Sequence, residues 1–188
     1  FLNINKKISN IGTIGTIGTN LYSDNNNYKI INPSSHTTPD PFNLWKNIIQ
    51  LNHTHKASNI ILEASSHALA QDRLKYLPIT TAIFSSFSQD HLDYHKNMES
   101  YFQAKLKLFT EFPDLKYAII YLDNNFNIKP LNKYLKDLFH YLKNNHIKYY
   151  TYAIKAEPNI YPDFYFSDIT PNINGFSAKL HTPFKNNL

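Results

Sequence analysis

Cysteine is absent from these 188 residues, which excludes disulfides and thiolate metal sites and fits a reducing compartment. No apolar run reaches the roughly eighteen residues that a membrane-crossing helix needs. The opening stretch FLNINKKISNIGTIGTIGTN has neither an apolar signal core nor a small-residue cleavage site. The expectation is a soluble, cytoplasmic chain without membrane insertion. Acidic residues are outnumbered, 14 against 19 Lys+Arg, but the lysines are scattered, so a nucleic-acid partner is not expected. Arginine is nearly absent. The only one, Arg73, stands in a chain rich in Lys, Asn and Ile, the composition that an AT-rich coding sequence produces.

What is present suits a folded domain. Hydrophobic residues make up 42% and charged residues only 18%, enough to build a sizeable core and too little charge for a disordered class. The chain begins at Phe1 and stops in a polar stretch at Leu188, so a fragment is expected.

Three of the four glycines fall in Ile11 to Thr19 (IGTIGTIGT), which reads as a strand running into a turn. A phosphate cradle there would need a following Gly-Lys-Ser/Thr, which is lacking. Asp40-Pro41 reads as a helix start, with Phe42, Trp45, Ile48, Ile49 and Asn52 spaced as its apolar face. Asn59 to Leu62 is a short apolar strand followed by Glu63. Then come a helix near Ser66 to Tyr76, a strand near Ile79 to Phe87, a helix near Met98 to Phe109 and a strand at Tyr117 to Tyr121. Leu131, Tyr134, Leu135, Leu138 and Leu142 mark a further helix, and Tyr149 to Ala153 a further strand. Strand and helix alternate, so the class is α/β, with a mostly parallel sheet flanked by helices. Stretches around Tyr161 to Ser167 and Gly175 to His181 read as an antiparallel edge near the C-terminus.

Polar groups concentrate at strand ends in three places: Thr37-Thr38, Glu63 to Arg73 and Asp90 to His95. In open α/β sheets that edge is where ligands bind. His91 and His95 would share a face if helical, with Asp90 and Asp93 adding oxygen donors, so a metal site and a structural role both stay open. Ser65 and Ser66 taken singly are helix N-caps, and Glu63 taken singly is a solvated carboxylate.

Together the strings are less ordinary. Leu62 to Arg73 (LEASSHALAQDR) resembles the E-V-S-S-H-x-L-x-Q-x-R signature of MurE-type Mur ligases, with Ala64 in place of valine. Asp90 to His95 matches that family's D-H-L-D-Y-H. Met98-Glu99-Ser100-Tyr101, Ala104-Lys105 and Leu108-Phe109 match its M-E-x-Y-x-x-A-K-x-x-L-F. Gly15-Thr16-Ile17-Gly18 resembles its G-T-I-G, and Thr37 to Asp40 its N-T-T-P-D with His36 for asparagine. The likeness covers Gly12 to Asp123 well and weakens beyond it.

The resemblance implies the central, ATP-binding domain of a ligase that adds a diamino acid, meso-diaminopimelate or L-lysine, to UDP-MurNAc-L-Ala-D-Glu in peptidoglycan synthesis. ATP and Mg2+ would activate the D-glutamate carboxylate as an acyl phosphate. By position, Glu63 and His91 would help hold magnesium, and Lys105 would be the lysine that the family carbamylates. Thr37, Thr38, Ser65, Gln71 and Arg73 would contact the UDP-MurNAc-dipeptide. The family's phosphate loop G-T-N-G-K-T, its N-terminal UDP-binding domain and its C-terminal amino-acid-binding domain are expected outside residues 1–188, leaving a partial domain, inactive alone. Ser85-Ser86-Phe87 replaces the usual T-N-L, Lys96 a glycine, and Tyr121 an asparagine that often precedes the matched Asp123. The competing readings are a metal-dependent hydrolase using His91 and His95, and a non-catalytic remnant.

Overall fold

A computed structural model describes residues 10–23, 28–34, 36–88, 90–122, 129–156, 161–173 and 175–184, with the backbone alone for 129–132. Asp123 and the Leu131 side chain lie outside these described residues. The chain divides after Tyr76 into two compact units.

In the first unit the glycine-rich segment makes a hairpin. Strands β1 (Asn10–Gly15) and β2 (Gly18–Ser23) pair antiparallel with Gly15 opposite Gly18, so Thr16 and Ile17 form the tip. Gly18 takes φ +100°, a left-handed value that L side chains rarely adopt, and an added Cβ would sit 2.6 Å from the Asn32 carbonyl oxygen. Strand β3 (Tyr28–Asn32) pairs antiparallel with β2, and β4 (Asn59–Leu62) parallel with β1, giving the order β3-β2-β1-β4. The strand-to-turn expectation for IGTIGTIGT holds. The two antiparallel strands that follow it have no clear alternation to announce them.

Helix α1 (Pro41–Ile49) starts where Asp40 caps it: its carboxylate accepts from the Phe42 and Asn43 amides at 3.1 Å. A wider π-type turn, Gln50–Thr54, continues it. The buried stripe differs from the expected one. Leu44 and Leu51 are fully buried whereas Phe42 is 77% exposed, because the stripe follows Leu44, Ile48 and Leu51 at i, i+4 and i+7. Helix α2 (Ser66–Ala70) is one short element rather than a helix to Tyr76: Asp72 and Tyr76 adopt φ +54° and +70°, which no α-helix accommodates.

The second unit holds the parallel sheet. Strands β5 (Thr81–Phe84), β6 (Tyr117–Tyr121) and β7 (Lys148–Tyr152) pair parallel in that order. The connections run through α3 (Leu92–His95) and α4 (Met98–Thr110), then through α5 (Lys129–Asn144), as parallel pairing requires. Phe84, Phe102, Phe109, Ile120, Leu138 and Leu142 form the centre of its core. Strand β5 is shorter than expected, since 85–88 leave the ladder. An antiparallel hairpin, β8 (Tyr165–Asn172) and β9 (Gly175–His181), supplies the antiparallel element expected near the C-terminus, β8 starting and ending later than the expected Tyr161 to Ser167, with a register shift between Ser167 and Thr170. Among the described residues no helix is long and apolar enough to cross a membrane.

Candidate functional site

Strands β1 and β4 run parallel, so both deliver their C-terminal ends to one edge of the first sheet. The backbone there is pinned by Glu63 N–H donating to the Ile14 carbonyl at 2.9 Å. Glu63 Oε2 accepts from both the Thr16 amide, at 2.7 Å, and the Thr16 hydroxyl, at 2.8 Å. The Thr16 and Thr37 hydroxyls are hydrogen-bonded at 3.1 Å. Gly15 is what lets the carboxylate lie there: a Cβ on it would come within 2.6 Å of Glu63 Cδ and Oε2. Among the described residues no hydrogen bond is formed to Glu63 Oε1.

The buried Thr38 ties the loop to the strand end. Its hydroxyl donates to the Glu63 carbonyl at 2.7 Å and accepts from the Ser65 amide at 3.0 Å. Ser65 caps α2 by accepting from the Ala68 amide at 3.2 Å, and its hydroxyl lies 3.3 Å from that of Thr38. Arg73, half-buried, donates through Nη1 to the Thr38 carbonyl at 3.0 Å. Its Nε and Nη2 both donate to Gln71 Oε1, at 2.8 and 2.6 Å. These partners are neutral, and among the described residues no carboxylate pairs with Arg73. Thr37, Thr38, Glu63, Ser65, Gln71 and Arg73 thus converge as one network, with an uncompensated cation at one end and a carboxylate at the other.

In the second unit, Lys105 stands on α4 with Nζ 5.2 Å from the Tyr101 ring centroid and 5.8 Å from that of Phe84. Ring faces favour an ammonium by about 0.5–1 kcal/mol at exposed sites, but desolvation here opposes it more. Burial therefore holds the amine below the ordinary lysine value of 10.5, the attraction of Asp90 offsetting only part of this. Phe87, at the altered Ser85-Ser86-Phe87 segment, completes the wall by stacking on Tyr101 at 5.0 Å.

His91 precedes α3 in a left-handed conformation, φ +57°, with its amide donating to Asp90 Oδ1 at 2.8 Å. Its imidazole is exposed, Nε2 lying 3.5 Å from Asp90 Oδ2, and its ring centroid is 5.9 Å from that of Tyr101. His95 is different: only 6% exposed, it packs against Tyr94 and Tyr101 at 4.8 and 5.3 Å. The two histidines do not form an exposed helical pair, because the single turn of α3 carries His95 into the core. Among the described residues there is no group of three or more His, Asp or Glu that could hold a metal ion.

The site roles of Thr16, Gly15 and Tyr101 went unread, although all three lie in quoted motifs. Nothing in the strings says that Thr16 reaches across the sheet edge to Glu63. The departure at Lys96 acquires a physical meaning, since its φ of +66° is a conformation that favours glycine.

Comparison with known proteins follows the same lines. The model of the Mur ligase middle domain matches residues 3–187. The UDP-N-acetylmuramoyl-L-alanyl-D-glutamate–2,6-diaminopimelate ligase of Pseudomonas aeruginosa is 39% identical over 115 residues, covering 61% of this chain and 22% of that protein. The ligase of the same name from Rickettsia typhi is 38% identical over 172 residues, covering 86% of this chain and 33% of that one. A solved structure of a ligase of that name superposes with TM-score 0.66 at 29% identity, covering 93% of this chain and 32% of the other. The chain therefore spans a fifth to a third of the length of these relatives. With the family model aligned over nearly every residue, and the motif-bearing strand ends arranged as described, the chain belongs to the Mur ligase middle-domain family, among relatives of the MurE type.

Proposed function

We propose that residues 1–188 are part of the central domain of an ATP-dependent ligase that joins a diamino acid to UDP-MurNAc-L-Ala-D-Glu, and that they carry its acceptor-binding and magnesium-binding groups. The observation behind this reading is the network at the end of β4, where one carboxylate is pinned by Thr16 and one cation, Arg73, is held in place by neutral partners only. Arginine presents a planar fork suited to a carboxylate or phosphate, and Arg73 keeps further N–H groups beyond those given to Gln71 and Thr38. Thr37, Thr38, Ser65 and Gln71 surround it with hydroxyl and amide groups that complement a polar, acidic acceptor.

The residues also fit magnesium, a hard cation that takes oxygen ligands and keeps several waters. Within the first unit Glu63 is proposed as a magnesium ligand, and within the second His91 and a carbamylated Lys105 are proposed as magnesium-binding groups. Bound there, magnesium would supply positive charge to the phosphate oxygens of ATP. Lys105 has the chemistry for carbamylation: a neutral amine attacks carbon dioxide, a C–N bond forms and the nitrogen loses a proton, leaving a carbamate anion. Its burial between Phe84 and Tyr101 favours that neutral amine. In the reaction proposed, the D-glutamate carboxylate attacks the γ-phosphorus of ATP to give an acyl phosphate and ADP. The amine of the diamino acid then displaces phosphate. Arg73 and the hydroxyl cluster orient the acceptor for the first step, which is a gain in proximity rather than in reactivity. The choice between meso-diaminopimelate and L-lysine is not assigned to any of these residues.

Kinetics of the full-length ligase that contains this segment test the division of labour. Arg73→Ala is expected to raise KM for UDP-MurNAc-L-Ala-D-Glu about tenfold or more with a smaller change in kcat, and Lys105→Ala to lower kcat about a hundredfold with KM little changed. Unchanged kinetics in both variants would overturn the assignment.

A further inference from the structure

Thr16 at the tip of the β1–β2 hairpin spends both of its donors on one oxygen of one carboxylate, Glu63 Oε2, at 2.7 Å from the amide and 2.8 Å from the hydroxyl. Thr16 and Glu63 are both solvent-exposed, where a glutamate ordinarily samples many rotamers and its two oxygens exchange freely. Three features of this hairpin remove that freedom. The tip has only Thr16 and Ile17 between the paired glycines, so the Thr16 amide is fixed by the strand ladder. Gly15 leaves the space that the Glu63 Cγ and Cδ occupy, since a Cβ there would lie 2.9 and 2.6 Å from them. The Thr16 hydroxyl has a single proton; the carboxylate can only accept it, so toward Thr37, 3.1 Å away, the Thr16 oxygen is left to accept from the Thr37 hydroxyl.

Two donors converge on Oε2 while Oε1 receives none among the described residues. A carboxylate with one oxygen saturated is disposed to give a cation a single bond from the other oxygen, rather than chelating it with both. Single-oxygen binding is the geometry that a small octahedral cation with retained waters requires, whereas larger cations accept bidentate carboxylates. Groups that hold a ligand in place from behind commonly matter to metal affinity almost as much as the ligand.

We infer that Thr16 is a positioning residue for the metal carboxylate: its hydroxyl and amide lock Glu63 with Oε1 outward, for one-oxygen coordination of a small divalent cation. The inference rests on the reading of Glu63 as a magnesium ligand and adds to it the device that orients the ligand. The connection through Thr37 also places that device one hydrogen bond away from the loop proposed to contact the acceptor.

The test uses the 188-residue chain, labelled with 15N, and Mn2+ as a paramagnetic probe, following the broadening of the Glu63 and Ala64 amide signals. Thr16→Val is isosteric, keeps the amide and removes the hydroxyl; Thr16→Ala removes the same hydroxyl without adding a methyl; Thr16→Ser restores it. Both hydroxyl-free variants are expected to need at least about tenfold more Mn2+ for half-broadening, the worth of one hydrogen bond to a charged group, and Thr16→Ser to match the unaltered chain. Thermal unfolding midpoints should stay together, since Thr16 is exposed. Thr16→Val and Thr16→Ala broadening at the same Mn2+ concentration as the unaltered chain would overturn the role of Thr16 and leave Glu63 as ligand intact. Absence of broadening in the unaltered chain, or equal broadening in Glu63→Gln, would overturn both.

Discussion

Lys105 shows how surroundings rather than identity decide what a side chain does. A lysine on a helix is ordinarily a solvated ammonium, and nothing in the string Ala104-Lys105-Leu106 contradicts that. Once Phe84 and Tyr101 stand within 5.8 Å of Nζ, the charged form loses hydration that the rings only partly replace. The folded state then binds the proton less tightly than the unfolded state does. The penalty is fully present below the depressed folded pKa, and it is relieved as pH rises toward 10.5, so stability from this group increases with pH across that interval. Competitive acetylation followed by mass spectrometry should show Lys105 reaching its half-neutral point below the ordinary lysine value of 10.5. A half-neutral point at or above 10.5 would contradict the burial argument. The sequence motif singled out Lys105, but the rings that alter it come from β5 and from one turn earlier on α4, positions that strings alone do not bring together.

At the scale of elements, the legible parts were those with strong local signals. Strand β6 was bounded correctly because YAIIY is a compact apolar run, and α1 because Asp40-Pro41 states a helix start in capping chemistry. The start of α2 was equally clear from Ser65, while its end was not, since the positive φ of Asp72 and Tyr76 interrupts a stretch whose other residues, Gln71, Arg73, Leu74 and Lys75, are good helix formers. The apolar face read for α1 proved largely exposed because Phe42 and Trp45 are the larger apolar residues, whereas Leu44 and Leu51 are the buried ones. Lys96, between α3 and α4, is the junction where sequence and conformation disagree. Its φ of +66° with ψ of −36° is strained for an L side chain, and Lys96 is exposed, so little packing is lost on truncation. Lys96→Gly is expected to stabilise the second unit by about 1 kcal/mol, after allowing for the greater unfolded-state entropy of glycine. Urea unfolding measures it, and a destabilised variant would show that Lys96 makes contacts that outweigh the backbone strain.

For the whole molecule, the comparisons and the structure agree on the family and on a parallel α/β core with an antiparallel hairpin near its C-terminal end. The candidate site was legible in outline because residues from separate parts of the chain, Thr37-Thr38 and Glu63 to Arg73, already formed a recognisable set. Its working geometry was not, because it depends on the hairpin tip reaching Glu63 and on Arg73 being supported by neutral groups. The central claim is that this edge of the first sheet binds the acidic acceptor. Titrating the 15N-labelled chain with UDP-MurNAc-L-Ala-D-Glu tests it most directly. The account predicts saturable shifts concentrated on Thr37, Thr38, Ser65, Gln71 and Arg73, weakened in Arg73→Ala; no shifts from a folded sample, or shifts confined to the β8–β9 hairpin, would contradict it.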